Sequence, residues 1–425
     1  MAPDCLAVAS RWPADVPLVC LAGSGRHQIL ATALTEIDWD EARRLPLGTA
    51  GEATTGMPLS RGGLIGLLSY DQFRPAIGTC GARPRIFRVA RALVHDLGTG
   101  AFAIVGDDTE HRAAHALGDA AVWRLVEAAR AGLPVDVGGG SGAGVLCPAA
   151  TLRAHTGDEH YLALARQALV DIRAGRYYQI NLLRYFDLVQ RPDRGWLIAR
   201  LARFGGAYAA LFDVPGLTVA SFSPERFVRI LPDAGGLIVE ARPIKGTAAR
   251  HSDPGLDRAA AAGLLTSAKD LAELHMIVDL MRNDVVRVSR AGTIRVPEAH
   301  RLLTVSNVHH LEARVTGRLA AGLTLGDFTA ALCPGGSITG APKREVTAAI
   351  RTYEERERRY FMGNAFYLDC ATGALDASIL IRTIVREHRE NTYEFAAGSG
   401  IVVGSDPEME RREIEAKCRV LTAPS

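Results

Sequence analysis

Lysine is the scarcest charged residue in this 425-residue chain. Of 49 lysines and arginines, only Lys245, Lys269, Lys343 and Lys417 are lysine. Dense basic runs with interleaved aromatics are missing and net charge is only +2, so nucleic acid is not an expected partner. No apolar stretch reaches the roughly 18 residues of a membrane-spanning helix, and the first residues lack the basic start and apolar stretch of a leader. The seven cysteines are odd in number, scattered, and without a Cys-x-x-Cys pair. They read as reduced thiols in a cytoplasmic protein.

What is present is a 48% hydrophobic composition, ample for a buried core in two or three average domains or one composite one. The clearest linker is "VDVGGGSGAG" at 135–144. Cys147-Pro148 follows it where a dinucleotide-binding loop would need a helix, so 135–148 is read as a connection between a region 1–134 and a core 149–425. Strand-like runs include "VPLVCLAG", "GGLIGLLSYD", "YYQINLLRYFDLV", "RFVRIL", "LIVEARPI", "ASILIRTIV" and "EFAAGSGIVV". Helical patterns fit 111–131, 159–174, 256–288, 325–333, 342–352 and 407–421. Strands come in adjacent runs rather than alternating with helices. That pattern predicts an α+β sandwich with largely antiparallel sheets.

Arginine dominance has a bland explanation in nucleotide composition, but such a bias removes lysine wherever arginine would serve. Desolvated lysine can give up its proton and act as a nucleophile or base, which arginine cannot. In "RFVRILPDAGGLIVEARPIK" two strand runs flank a turn, so Glu225 and Lys245 meet at the open end of a hairpin. Alternation puts Lys245 on the face of Val239 and Ala241. The pair either closes the hairpin as an ion pair or carries proton transfer and nucleophilic attack.

Two carboxylate pairs have helical spacing: Asp270 with Glu273, and Glu410 with Glu413 behind an Asp406 cap and Pro407. They are either solvated helix faces or, if they converge, oxygen ligands for a hard cation such as Mg²⁺. Alternation in "ASILIRT" sets Arg382 among apolar residues, where its charge needs a protein or substrate carboxylate. His309 and His310 are neighbours on one strand and cannot share a metal. "CPGGSITGAPK" departs from a Walker loop, yet its glycines, Ser337 and Thr339 offer donors to an anion. Cys80 in "GTCGA" and His388 have the wrong separation for a glutaminase pair.

In order, "YYQINL", "SPERF", "RPIKGT", "AKDLAE", "MIVDLMRND", "VHHL", "CPGGSITGAPK", "IRT", "GSGIV" and "DPEMERREIEAK" resemble the chorismate-utilising enzymes over about 159–421. A weaker match is "GGLIGLLSYD" at 62–71. The resemblance implies a four-layer sandwich of two sheets packed face to face and flanked by helices. It also places all four lysines at motif positions. Within the family, anthranilate synthases typically carry alanine at the centre of Pro-Ile-x-Gly-Thr, whereas aminodeoxychorismate synthases commonly carry lysine, as here at Lys245.

The resemblance therefore implies amination of chorismate to 4-amino-4-deoxychorismate on the para-aminobenzoate and folate branch. Ammonia would come from a glutamine amidotransferase partner. Lys245 is implied as covalent nucleophile, Glu225 as proton donor, and His310 as a further catalytic residue. Mg²⁺ would be held by Asp270, Glu273, Glu410 and Glu413. Tyr367 and Arg382, with backbone at Gly398 and Gly400, are implied to hold the substrate's side-chain carboxylate, with Thr339 and Lys417 as further binding residues. Phe366 replaces a family glycine, Ala313 a serine and Gly404 an aspartate, and the family's tryptophan pocket is not recognisable. An anthranilate or isochorismate synthase, or a non-catalytic chorismate-binding subunit, are the alternatives.

Overall fold

The structure, a computed structural model, describes residues 5–13, 15–22, 27–47, 58–59, 62–73, 82–106, 119–131, 147–304 and 308–424. All of the linker 135–148 before Cys147, Cys80, and the first part of the helical pattern at 111–131 lie outside the described residues.

Nineteen described strands form one hydrogen-bonded network, antiparallel throughout, that divides at the long strand Arg85–Asp96. One arm passes through His27–Ile37, Leu18–Leu21, Ala210–Val214, Leu217–Ser221, Thr383–Glu387 and Glu394–Val402 to Gln179–Leu188. The other passes through Gly63–Leu68, Asn364–Asp369, Leu375–Ile379, Arg226–Asp233 and Gly236–Ala241 to Val308–Arg318. Ile244–Ala249 and Arg295–Thr304 then flank Val308–Arg318. Strands from both sides of the 135–148 segment therefore share one network.

The chain crosses between the arms at two neighbouring places. Residues 222–225 link Leu217–Ser221 to Arg226–Asp233, and residues 380–382 link Leu375–Ile379 to Thr383–Glu387. Phe222 N donates to Arg382 O at 3.1 Å, and Ile379 N donates to Glu225 O at 3.3 Å. The crossings are thus bonded to each other, and they carry Glu225 and Arg382.

Two expectations are corrected here. The helical pattern at 256–288 is two helices, Pro254–Thr266 and Ala268–Val286, because Ser267 ends the first and caps the second by accepting from Asp270 N. The run "ASILIRTIV" is two strands, so alternation does not govern Arg382. That residue sits in the break with φ of +51°, in the left-handed region. The helix Pro407–Thr422 starts as read, with Asp406 accepting from Met409 N and proline in the first turn. No helix among the described residues is long and apolar enough to cross a membrane.

Candidate active site

Lys245 lies on Ile244–Ala249, opposite Leu311. From Gly236–Ala241 through Pro243 to Lys245 the chain pairs with Val308–Arg318 in one register, and the Pro243 carbonyl accepts from Ala313 N at 3.0 Å. Lys245 therefore shares a face with the fully buried Val239 and Ala241, as the alternation predicts. The register shifts immediately after it, at Gly246, where φ is +74°. A Cβ there would lie 3.0 Å from Asp270 Oδ1, so only glycine lets that carboxylate come against the lysine's own peptide.

Across the interior, Lys245 reaches the other arm. Its Nζ stands 3.8 Å from where a Cβ on Gly400 would be, and Gln179 Nε2 stands 3.3 Å from the same point. Gly398 and Gly400 lie opposite Leu183 and Asn181 on Gln179–Leu188, and their lack of side chains leaves room for these amides. Both polar atoms of the Gln179 side chain, and Asn181 Oδ1, are buried without a hydrogen-bond partner among the described residues. An unpaired buried amide is costly, so these groups point to a polar ligand. The sequence reading passed over both. The signal was two amides at alternate positions at the start of a strand run, flanking Ile180 and followed by Leu182 and Leu183.

Glu225 Oε1 accepts a hydrogen bond from Ser337 Oγ at 3.3 Å. Burial raises its pKa, opposed by Lys245, Ser337, Lys417 and Arg382, which therefore all face it. Burial also lowers the pKa of Arg382, which Glu225 and Glu413 support, and Arg382 Nε is buried without a hydrogen-bond partner among the described residues. His310 Nδ1 lies 2.9 Å from Thr247 Oγ1, and burial lowers the ring's pKa, with Arg382 adding to the effect. His309 turns the other way, 3.1 Å from Asp257 Oδ1. The two histidines thus have separate partners, as read.

Lys417 Nζ donates to Gly398 O and pairs with Glu413 Oε1, each at 2.6 Å. Burial raises the Glu413 pKa, but Lys417, Lys245 and Arg382 outweigh it and hold the carboxyl below its usual range. Glu410 accepts from Ser405 Oγ at 2.7 Å, and its pKa is raised by burial and by the charge of Glu413. Glu273 lies 4.0 Å from Lys269. Thr339, fully buried, accepts from Tyr70 Oη at 3.2 Å, and its carbonyl accepts from Asn181 N at 2.9 Å.

The structure thus gathers Lys245, Glu225, Arg382, His310, Glu413 and Lys417, with Asp270 and Gly400 at their margin. It does not gather the four carboxylates tightly. Among the described residues, the cluster whose ligand atoms all lie within 4.8 Å is His155, Asp187 and Glu394, so no three of Asp270, Glu273, Glu410 and Glu413 meet that spacing. Tyr367 lies opposite Asp376 and Ile65 in the sheet, burial raises the pKa of its hydroxyl, and Asp376, Arg226, Asp369 and Arg229 act on it. Phe366 points to the opposite side, against Phe227, Leu325 and Phe328. The ring that replaces the family glycine therefore packs under the helix Leu325–Leu332.

The family description "chorismate binding enzyme" matches residues 31–423. The chain belongs to this family. Among family relatives, aminodeoxychorismate synthase component 1 of Klebsiella aerogenes is 38% identical over 262 residues, 61% of this chain and 56% of that protein. An anthranilate synthase component 1 of Halobacterium salinarum is also 38% identical, over 60% of this chain and 48% of that one. The chain matches about half the length of these relatives. The solved anthranilate synthase component I of Streptococcus pneumoniae superposes with a TM-score of 0.75 at 24% identity, covering 94% of this chain and 92% of that one. That likeness establishes a shared fold of helices on antiparallel sheet.

Proposed function

We propose that this chain is an aminodeoxychorismate synthase component I, a cytoplasmic enzyme that aminates chorismate at C4 with ammonia from a separate glutamine amidotransferase. The product, 4-amino-4-deoxychorismate, would enter para-aminobenzoate and folate synthesis. The observation that carries the reading is the Lys245 amine, placed against Gly400 and facing Glu225 and Glu413.

In this mechanism Lys245 Nζ bonds to ring C2 while the C4–O bond breaks, and the hydroxyl departs as water with a proton from Glu225. Ammonia then bonds to C4. The C2–N bond breaks with its electron pair returning to Lys245, and the proton lost by the new C4 ammonium restores Glu225. One hard displacement becomes two easier ones. The buried Arg382 Nε, which has no hydrogen-bond partner among the described residues, suits a substrate carboxylate, which would join Glu225 and Glu413 in offsetting its charge.

Asp270, Glu273, Glu410 and Glu413 would hold Mg²⁺. Their donor chemistry fits, being all hard oxygens, and Glu410 and Glu413 already repel one another; since no three of the four stand within 4.8 Å of one another, the ion would draw them together. When bound, the ion would supply positive charge to the ring carboxylate and Lewis-acid assistance at the hydroxyl. The two arms are read as the faces of a four-layer sandwich, with 149–425 as the chorismate-binding core, 1–134 packing on it and 135–148 as linker.

Incubation with chorismate, Mg²⁺ and ammonium, followed by product chromatography, tests the reading. It predicts 4-amino-4-deoxychorismate, and glutamine plus an amidotransferase should replace ammonium. Anthranilate or isochorismate would move the chain to another branch, as the equally similar anthranilate synthase relative allows. Binding without turnover would make it a non-catalytic subunit.

A further inference from the structure

The loop 333–342 was read as a set of donors for an anion, but the structure uses its serine differently. The loop is seated on one face of the helix Ala268–Val286. Gly336 comes so close to Leu280 that a Cβ would lie 2.3 Å from Leu280 Cδ2. One turn further along that face, Lys343 Nζ donates to Asp284 Oδ2 at 2.6 Å and to Leu332 O at 3.1 Å. Behind the loop, Arg358 Nη1 donates to Ile338 O at 3.0 Å, and Gly340 N closes a turn on Gly336 O at 2.9 Å. Ser337 lies between two anchored neighbours, Gly336 and Ile338, and its hydroxyl meets Glu225 Oε1 at 3.3 Å.

We propose that Ser337 is a positioning residue for Glu225: the seated loop holds its hydroxyl on Oε1, so that Oε2 is the oxygen turned toward the departing hydroxyl group. This rests on the reading of Glu225 as proton donor. A free carboxyl rotates about its last bond, and proton transfer needs the acidic oxygen within hydrogen-bond reach of the leaving group. Fixing one oxygen to a rigid loop removes that freedom before substrate arrives. The helix that seats the loop also brings Asp270 against Gly246, so both sides of the lysine refer to one rigid element.

The test is a double-mutant cycle on the full chain, with S337A, E225Q and the pair assayed for ammonium-dependent turnover. S337A should lower kcat about ten-fold while KM for chorismate stays within about two-fold, the size of one lost hydrogen bond to a charged group. Its alkaline limb should move to higher pH, because a donor to the charged carboxylate is gone while Lys245, Lys417 and Arg382 still face it. In the E225Q background, S337A should change the residual rate less than about two-fold. Equal ten-fold losses in both backgrounds, or an S337A enzyme with wild-type kcat and pH profile, would overturn the proposal. An E225Q enzyme with wild-type turnover would instead remove Glu225 as proton donor, a separate failure.

Discussion

At the scale of single residues, Arg382 combines two unusual features. Its backbone lies in the left-handed region at φ +51°, and its buried Nε has no hydrogen-bond partner among the described residues. Both follow from its place in the crossing between strands, where a regular strand would have turned the side chain elsewhere. Arg382→Ala should lower kcat/KM for chorismate about 100-fold, mainly through KM, as expected for losing a charge-assisted pair. Lysine at this position should recover little, because it lacks the planar fork. Steady-state kinetics checks this, and an unchanged KM would assign the guanidinium a structural role. The need for an anionic partner was legible in the sequence, since a charge in an apolar run always raises that question. Its geometry was not, because propensity carries no mark for a break at 380–382. Lys245 and Glu225 were legible as a pair through hairpin register. Tyr367 was expected beside the substrate's side-chain carboxylate; in the structure it lies opposite Asp376, whose charge and that of Arg226 act on its hydroxyl.

At the scale of elements, the site depends on a one-residue irregularity. The register shift at Gly246 interrupts pairing with Val308–Arg318 just after Lys245 and admits the first turn of the helix Ala268–Val286. Gly246→Ala meets two obstacles, a positive φ and an Asp270 oxygen at 3.0 Å. The backbone alone costs about 1–2 kcal/mol. The variant should lose at least ten-fold in kcat through displacement of Asp270, with only a modest fall in thermal midpoint. Full activity there would show that Asp270 need not sit against the lysine. The glycine was visible in "RPIKGT", but its role needs the helix start, and the sequence pattern ran that helix through Ser267. Apolar periodicity continues across 256–288, so the cap at Ser267 is a local hydrogen-bond event that the pattern does not encode.

At the scale of the whole molecule, the antiparallel α+β character was legible from adjacent strand runs. The dividing network was not, because it rests on pairings between residues far apart in sequence, such as Glu225 with Ile379. The same distance explains why Gln179 escaped notice: its meaning appears only when Gly400 and Lys245 arrive from other segments. Behind these segments Arg358, in a fully buried pair with Glu354, donates to Ile338 O and Asn181 O, tying the loop to the strand. Lys245 of one arm faces Gly400 of the other, its Nζ 3.8 Å from where a Cβ on that glycine would be. The most direct test of its role is intact-protein and peptide mass spectrometry after rapid quenching with chorismate and Mg²⁺ in the absence of ammonia. The account predicts an adduct of chorismate less water on the peptide containing Lys245, discharged by ammonium and absent in Lys245→Ala. Ammonium-dependent turnover at the wild-type rate by Lys245→Ala would contradict it.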